Sequence, residues 1–226
     1  MNIEESVRSV IVKNLDAGIQ DWLEKQSELI RNEEGSTNFV KTFSLIPRKL
    51  SSEKSLLNYE DTNYLSSILA GWSPKEWTLV RLVRVWITMQ VKDSNPLNYQ
   101  QKFDLLFDNA EMNELASLYS ALPFLSYPQI WKGRCAEGIR SNIGTVLESI
   151  LYENPYPSNC LDEAAWNQLV MKAFFTGKDM LRITGLFERN NSNLARILRD
   201  FAAERQAAGR PVPDHLWELV EKNNES

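Results

Sequence analysis

Apolar residues recur every three or four positions along almost the whole chain, and the alternation of apolar and polar residues that is typical of strands is nearly absent. This spacing places apolar side chains on one face of a helix and therefore predicts an all-α protein. We expect about ten to eleven helices joined by short polar turns, arranged as a multi-helix bundle or a short α-α solenoid. No sequence repeat of fixed period supports the solenoid.

Cap and breaker residues mark the expected helix boundaries in the N-terminal half. Asn is a favoured N-cap, Gly a favoured C-cap, and the residue before a proline avoids helical geometry. The predicted elements are one helix from about Ile3 to Arg31, a shorter helix ending near Pro47, a helix from Asn58 to Gly71, a helix starting at either Ser73–Glu76 or Thr78, and helices at about 98–108 and 110–121.

The C-terminal half has clearer breaks, because Asn, Pro and Gly interrupt the apolar pattern there. The predicted elements are one long helix from Pro128 to about Glu153, an extended loop from Asn154 to Pro157, a helix capped by Asp162 that runs to Thr176 and ends at Gly177, and shorter helices at about 180–188, 193–208 and 214–222.

Length and charge limit the classes of protein to which the chain can belong. Its 226 residues fit one domain over 1–226, with a subdivision near 122–127 left open. A chain of this length buries enough surface to fold without a disulfide or a metal. The net charge of −5 disfavours a general DNA or RNA binder, which needs an excess of Lys and Arg.

Few residues are available for metal or redox chemistry. Cys135 and Cys160 form no CxxC motif, and His215 is the only histidine, so neither a metal nor a cofactor is expected. The N-terminus shows no signal peptide, and the most apolar window, Leu79 to Val91, contains Arg81 and Arg84. We therefore expect a cytoplasmic protein that does not itself cross a membrane.

Several motifs resemble those of the EboA family. The strongest is segment 154–167, which reads NPYPSNCLDEAAWN and continues as QLVMKAFFTG to Gly177. Further matches are FSLIPRKL at 43–50, GWSPKEW at 71–77, AEGIRSN at 136–142, LARILRDFAAERQAAGR at 194–210, and the segment from Pro213 to Trp217. They follow the family's order and spacing from about residue 40 onward. Gln206 stands where the family usually has an aromatic residue, which removes the ring that a stacking role would need.

The resemblance implies an accessory protein of a bacterial secondary-metabolite gene cluster. EboA-type proteins accompany a UbiA-like membrane prenyltransferase, TIM-barrel enzymes and sugar-phosphate-type enzymes in small clusters that make or move such metabolites. The expected partners are therefore proteins of that cluster, including its enzymes and the prenyltransferase, and a small polar metabolite. The resemblance implies no particular reaction.

The two helices that flank the NPYP loop carry the predicted site. A continuous helix from Pro128 aligns Glu137, Ser141, Gly144 and Glu148 opposite its apolar stripe, either as a solvated face or as the wall of a cavity. The helix from Asp162 is apolar nearly all round, so Lys172 needs either a structural partner or a ligand. Since the two helices follow one another, an antiparallel hairpin with a Lys172–Glu contact is expected.

Arginines make the C-terminal quarter locally basic, which suits either phosphate contacts or pairing with Asp and Glu on the same helix. They are Arg182, Arg189, Arg196, Arg199, Arg205 and Arg210. The candidate residues for binding a ligand or partner are Arg134, Glu137, Arg140, Ser141, Asn142, Glu148, Asn154, Tyr156, Trp166, Asn167, Lys172 and Arg182.

Three hypotheses of function remain. The first is a non-catalytic accessory protein that holds a partner enzyme or a metabolite, and the second is an enzyme acting on a polar or phosphorylated small molecule. The third, a helical nucleic-acid binder, is disfavoured by the acidic charge. A deep polar pocket favours the second hypothesis, whereas a flat or grooved surface with an apolar patch favours the first.

Overall fold

A computed structural model describes residues 2–50 and 56–221. These residues form thirteen α-helices, three short 3₁₀ helices and no strand, which confirms the all-α prediction. The α-helices are α1 (Ile3–Lys13), α2 (Ala17–Arg31), α3 (Thr37–Leu50), α4 (Tyr59–Ser66), α5 (Leu79–Thr88), α6 (Pro96–Asn109), α7 (Met112–Ala121), α8 (Lys132–Arg140), α9 (Gly144–Leu151), α10 (Tyr156–Cys160), α11 (Glu163–Phe175), α12 (Ser192–Ala207) and α13 (Asp214–Glu221). The 3₁₀ helices are Leu122–Phe124, Pro128–Trp131 and Met180–Arg182.

Helix α5 lies at the centre of the fold. Nine of its ten residues are buried, and it packs against α1, α3 and α7, while α7 packs in turn against α9. The helix starts after Thr78, one of the two predicted starts, because the Thr78 hydroxyl accepts the N–H of Arg81 in the first turn at 3.2 Å. In the described part of the chain, no helix has both the length and the apolar character to cross a membrane.

The prediction that a helix ends near Pro47 was wrong, because α3 continues to Leu50. A proline inside a helix cannot donate to the carbonyl four residues earlier, which here belongs to Phe43. Arg84 of α5 donates its Nε–H to that carbonyl at 3.2 Å. A side chain from the neighbouring helix thus satisfies the acceptor that Pro47 leaves open.

The predicted helix from Ile3 to Arg31 is two helices, α1 and α2. Asn14 ends the first, and its side chain donates to the carbonyl of Val10 and to the buried carboxylate of Asp61. Asp16 caps the second by accepting the N–H of Ile19 at 2.9 Å. Polar side chains that bond nearby backbone compete with helix continuation, which explains the break.

The long helix predicted from Pro128 to Glu153 is also broken. Residues 128–131 form a 3₁₀ turn, α8 ends at Arg140, and α9 begins at Gly144. Between α8 and α9, Ser141 is extended at ψ 147°, and its hydroxyl accepts the N–H of Ile143 at 3.1 Å. The expected polar stripe on one helix therefore does not exist.

The NPYP segment is not the extended loop that was predicted. Asn154 accepts the N–H of Tyr156 at 3.0 Å, and the short helix α10 follows directly. Prolines in the first turn of a helix are tolerated, because the N–H groups there have no partner in the helix. Pro157, the second residue of this helix, is therefore compatible with it.

The helix predicted after Asp162 is confirmed as α11, with Asp162 accepting the N–H of Ala165 at 2.8 Å and Gly177 at φ +64° after its end. Two other bounds differ from the prediction. Helix α4 ends at Ser66 rather than at Gly71, and the helix expected at 180–188 is only a short 3₁₀ helix followed by turns. The predicted end of the last helix, residue 222, lies outside the described residues.

Candidate functional site

A cavity of about 490 Å³ opens at the start of α5, between α5 and α7. Its wall combines two guanidinium groups and several small polar groups with the apolar side chains of Leu56 and Val80. The lining residues are Leu56, Glu76, Thr78, Val80, Arg81, Arg84, Asn113 and Ser117. We call this space the α5 cavity. Its volume is that of a small-molecule site, and six of its eight lining residues are polar or charged, which suits a polar ligand.

A smaller cavity of about 140 Å³ adjoins it and shares Glu76 and Arg81. We call it the side cavity. It is lined by Lys75, Glu76, Trp77, Arg81, Glu148, Ser149, Tyr152, Glu153 and Arg182. Two of the residues predicted for the site, Glu148 and Arg182, therefore line the same cavity. Helix α5, which was not part of the predicted site, forms the wall between this side cavity and the α5 cavity.

Arg182 holds the loops around the side cavity together. Its guanidinium binds Glu153 through two hydrogen bonds of 2.7 and 2.8 Å, reaches Glu76 at 2.9 Å, and stacks on Tyr152 at 4.1 Å from the ring centre. The bonds to Glu153 raise the pKa of Arg182, and Glu76 adds to this shift. Arg182 is therefore a fully engaged cation that fixes two carboxylates in place.

Both carboxylate partners of Arg182 sit on strained backbone. Glu76 has φ +63° and Glu153 has φ +45°, in a region that residues with a Cβ adopt at a cost. Such residues persist only where the surroundings hold them, and they concentrate at functional sites. Here the ion pairs to Arg182 hold both residues.

Backbone contacts fix the same three loops to one another. Ser73 donates its N–H to the carbonyl of Glu153 at 3.2 Å, and Glu153 donates to the carbonyl of Arg182 at 2.8 Å. Gly71, at φ +74°, accepts a hydrogen bond from the Thr184 hydroxyl, and a Cβ at Gly71 would overlap the Thr184 methyl group. The cavity wall is thus rigid although it is built from loops.

Arg84, on the floor of the α5 cavity, is satisfied by protein groups. It is buried, its Nη2 donates to Glu114 at 3.0 Å, and its guanidinium lies 5.1 Å from the ring centre of Phe43. Together with the bond to the Phe43 carbonyl, these contacts compensate its charge.

Arg81 has no such compensation. Within residues 2–50 and 56–221, no carboxylate oxygen lies within ion-pair distance of its guanidinium and no side-chain hydrogen bond engages it. The guanidinium lies 5.9 Å from the ring centre of Trp77. Burial lowers the pKa of Arg81, and the more distant charge of Glu148 opposes the shift. Glu148 itself binds Lys178 at 2.6 Å.

The remaining predicted residues lie away from the two cavities. Arg134 joins α8 to α6 through Asp104 and Asp108, at 2.9 and 2.8 Å, and also reaches Glu137 at 3.2 Å. Arg140 is exposed at the end of α8, and Ser141 closes the turn that follows.

Two residues of the NPYP segment have structural contacts. The buried Asn154 donates to the carbonyls of Tyr119 and Ser149, at 3.2 and 2.9 Å. The buried Tyr156 donates its hydroxyl to the carbonyl of Pro128 at 2.6 Å. The motif with the strongest family resemblance therefore connects α9 to the segment before α8.

The expected contact between Lys172 and a glutamate is wrong. Lys172 is half-buried and donates to the side chain of Asn142 at 3.2 Å, whereas the glutamate of α9, Glu148, is bound by Lys178. On the buried face of the same helix, Trp166 packs in the core and Asn167 exchanges amide hydrogen bonds with Asn191.

Besides Arg182, three of the C-terminal arginines bind protein groups. Arg189 donates to the carbonyls at the end of α10 and stacks on Trp166 at 4.9 Å. Arg196 pairs with Asp200 along α12, and Arg205 donates to the carbonyl of Pro211. These contacts agree with the structural interpretation of the basic segment.

A second large cavity, of about 560 Å³, lies between the start of α1 and the segment after α7. It is lined by Asn2, Ile3, Glu4, Ile68, Met89, Lys92, Tyr99, Pro123, Phe124 and Ser126. Its cation, Lys92, donates to the carbonyl of Met89 at 2.8 Å and faces Glu4 at 3.9 Å. Unlike Arg81, this cation already has protein partners.

Sequence reasoning missed the central residues of the site, Arg81 and Arg84. The signal was present, because these two arginines interrupt the most apolar window of the chain. An arginine in a helix that is otherwise buried needs either a partner or a ligand. The expectation that no metal is needed stays a prediction; among the described residues, no three His, Cys, Asp or Glu side chains are grouped as metal ligands would be.

The comparisons with known proteins give one family. The family model described as "Metabolite traffic protein EboA" matches residues 3–221, nearly the whole chain. No curated protein and no solved structure gives a significant match.

Proposed function

We propose a function from the premise that the chain belongs to the EboA family. The family description, a metabolite traffic protein, fits an accessory role in a metabolic pathway. Our proposal is that this protein fills that role by binding a small metabolite in the α5 cavity. The proteins that deliver or receive the metabolite are then other members of the same bacterial secondary-metabolite cluster.

The observation that carries the proposal is the α5 cavity itself. Its volume of about 490 Å³ lies in the range of ligand pockets, and two apolar side chains, Leu56 and Val80, share its lining with six polar or charged residues. A scaffold for a partner enzyme needs a broad surface rather than a concave pocket. The cavity therefore favours a small-molecule ligand over a purely scaffolding role.

Binding, rather than conversion, is the role that the lining residues support best. The carboxylates of Glu76 and Glu153 hold Arg182, and Glu148 holds Lys178. On the other side, the Ser117 hydroxyl donates to the carbonyl of Asn113 at 2.7 Å. Groups engaged in this way position a ligand but are not set up to take or give a proton.

The proposal is tested by retention of metabolites. The wild-type protein is dialysed against an extract of the cells that express its gene cluster, and mass spectrometry identifies the compounds that it retains. Asn113→Trp narrows the mouth of the α5 cavity, since Asn113 is an exposed residue on its rim. Ser117→Leu fills the floor from α7.

We expect the wild-type protein to retain at least one compound that both variants lose. Asn98→Trp is the matched control, because Asn98 is equally an exposed helical asparagine but does not line the cavity. The proposal is wrong if the wild type retains nothing, or if both cavity variants retain the same compounds as the wild type. Chemical change of the retained compound would instead support the enzyme hypothesis.

A further inference from the structure

The charge of Arg81 narrows the chemistry of the ligand. Arg81 lies on the shared wall of the α5 cavity and the side cavity. Its neighbours are engaged elsewhere: Arg84 by Glu114, Lys178 by Glu148, and Arg182 by Glu76 and Glu153. In the described part of the chain, Arg81 is the guanidinium of this site that no carboxylate neutralises at ion-pair distance.

A guanidinium that is taken out of water without a partner is costly, and its five N–H groups remain to be satisfied. The same planar group matches the two oxygens of a carboxylate or a phosphate. The cavity in front of Arg81 has the room to hold such a group.

The start of α5 adds a second attraction for an anion. Thr78 and Val80 line the cavity, so the first turn of this ten-residue helix faces it. The Thr78 hydroxyl already accepts the N–H of Arg81 in this turn, so the attraction that the helix adds comes mainly from its dipole, which is positive at the beginning of a helix. Arg81 belongs to the same turn, and the charge of the side chain and the charge of the helix end therefore act on the same space.

The opposite wall indicates what the rest of the ligand contains. Leu56 is 61% exposed at the rim, and the buried Val80 lies behind it. An exposed leucine beside a cavity gains from contact with apolar atoms, by burying surface that otherwise faces water. Asn113 and Ser117 on α7 supply the hydrogen-bonding side.

We infer that the α5 cavity binds an amphiphilic organic anion, with a carboxylate or phosphate held by Arg81 and the first turn of α5 and an apolar portion held by Leu56 and Val80. This inference rests on the proposed function and names its ligand class. The carboxylate of Glu76 lines both cavities and is held there by Arg182. Its negative charge limits how much negative charge a bound ligand can carry.

Phenyl phosphate, benzoate, inorganic phosphate and benzyl alcohol test the inference by titration calorimetry on the full-length protein. The first two combine an anion with a ring, the third lacks the ring, and the fourth lacks the charge. We expect binding of at least one of the aromatic anions, weaker binding of phosphate, and the weakest binding of benzyl alcohol. The stronger of phenyl phosphate and benzoate identifies the oxyanion that the site prefers.

Substitution of Arg81 gives the decisive comparison. Arg81→Met should weaken binding of the preferred anion by about 10- to 100-fold, since hydrogen bonds to charged groups are lost. The affinity of Arg81→Lys should lie between those of the wild type and Arg81→Met, because a lysine keeps the charge but not the planar pair of donors. Arg196→Met, which removes an exposed arginine on α12, should bind as the wild type does.

Two outcomes overturn the inference. One is that neither aromatic anion binds the wild type, and the other is that Arg81→Met binds the anions as tightly as the wild type. The retention experiment separates these failures from failure of the proposed function. A neutral metabolite that is retained by the wild type and lost in Asn113→Trp leaves the metabolite-binding function in place and removes only the anionic class.

Discussion

Arg84 and Arg81 are one helical turn apart on α5 and line the same cavity, yet their surroundings differ. Arg84 is buried against Glu114, the ring of Phe43 and the carbonyl that Pro47 leaves open. Arg81 is only partly buried and has neither a carboxylate nor a carbonyl partner in the described residues. Arg84 therefore has a structural role, whereas Arg81 is available to bind a ligand.

The difference shows how a structural charge can be told from a binding charge. A buried charge with a full set of partners costs little once it is formed but much when it is broken. A desolvated charge without partners weakens the fold and persists where function needs it. Changes to the two arginines should therefore move stability in opposite directions.

The largest effect is expected from Arg84→Met. The substitution leaves the half-buried Glu114 without its cation and the Phe43 carbonyl without a donor. Removing one partner of a buried ion pair costs about 3–5 kcal/mol. We expect that loss in the free energy of unfolding, measured by urea denaturation followed by circular dichroism.

The double variant Arg84→Met/Glu114→Gln controls for the stranded charge. Glutamine keeps the oxygen that accepts the N–H of Glu111 but removes the charge, and it should restore part of the loss. If Arg84→Met is as stable as the wild type, Arg84 is not the structural residue of the pair and the comparison fails.

A smaller effect, of opposite sign, is expected from Arg81→Met. Burial lowers the pKa of Arg81, which means that the folded state disfavours its charged form. Methionine removes this cost, and we expect the free energy of unfolding to rise by about 0.5–2 kcal/mol in the absence of ligand. Urea denaturation of the two proteins at neutral pH measures the difference.

Arg81→Lys is the control, since it keeps a partly buried positive charge and should gain no stability. A marked loss of stability in Arg81→Met would show that Arg81 has protein partners of structural weight. Arg81 and Arg84 would then differ only in the strength of their protein contacts. The proposal that an anion binds Arg81 would lose its main support.

The sequence predicted the class of fold well because helical periodicity and caps are local properties. Asp162 and Gly177 bound α11 as expected, and Asn58 caps α4. The breaks between helices that share one long apolar pattern were not predicted, however. Asn14 and Ser141 each break a predicted helix through bonds of their own side chains, and the effect of such bonds depends on tertiary partners such as Asp61.

The site was harder to predict because it depends on contacts between distant segments. Arg182 binds Glu76, 106 residues earlier in the chain, and Arg84 binds a carbonyl of α3. The prediction gathered residues around the NPYP motif, where local signals were strong, and found Glu148 and Arg182. It could not place Arg81 beside them, since nothing in the local pattern shows which helix faces the loops at 71–77 and 182–184.

The smallest effect on stability is expected from Lys172→Met. Lys172 is a cation that lines neither the α5 cavity nor the side cavity. Lys172 is half-buried and donates to the side chain of Asn142, and no carboxylate of the described residues forms an ion pair with it. A carboxylate partner would have predicted a loss of about 3–5 kcal/mol, whereas a partly exposed amide partner predicts a change within about 0.5 kcal/mol. Titration of the variant with phenyl phosphate and benzoate should also give the wild-type affinities. Loss of anion binding in Lys172→Met, with stability unchanged, would place the anion at Lys172 and Asn142 rather than in the α5 cavity, because the charge of Lys172 would then have the role proposed for Arg81.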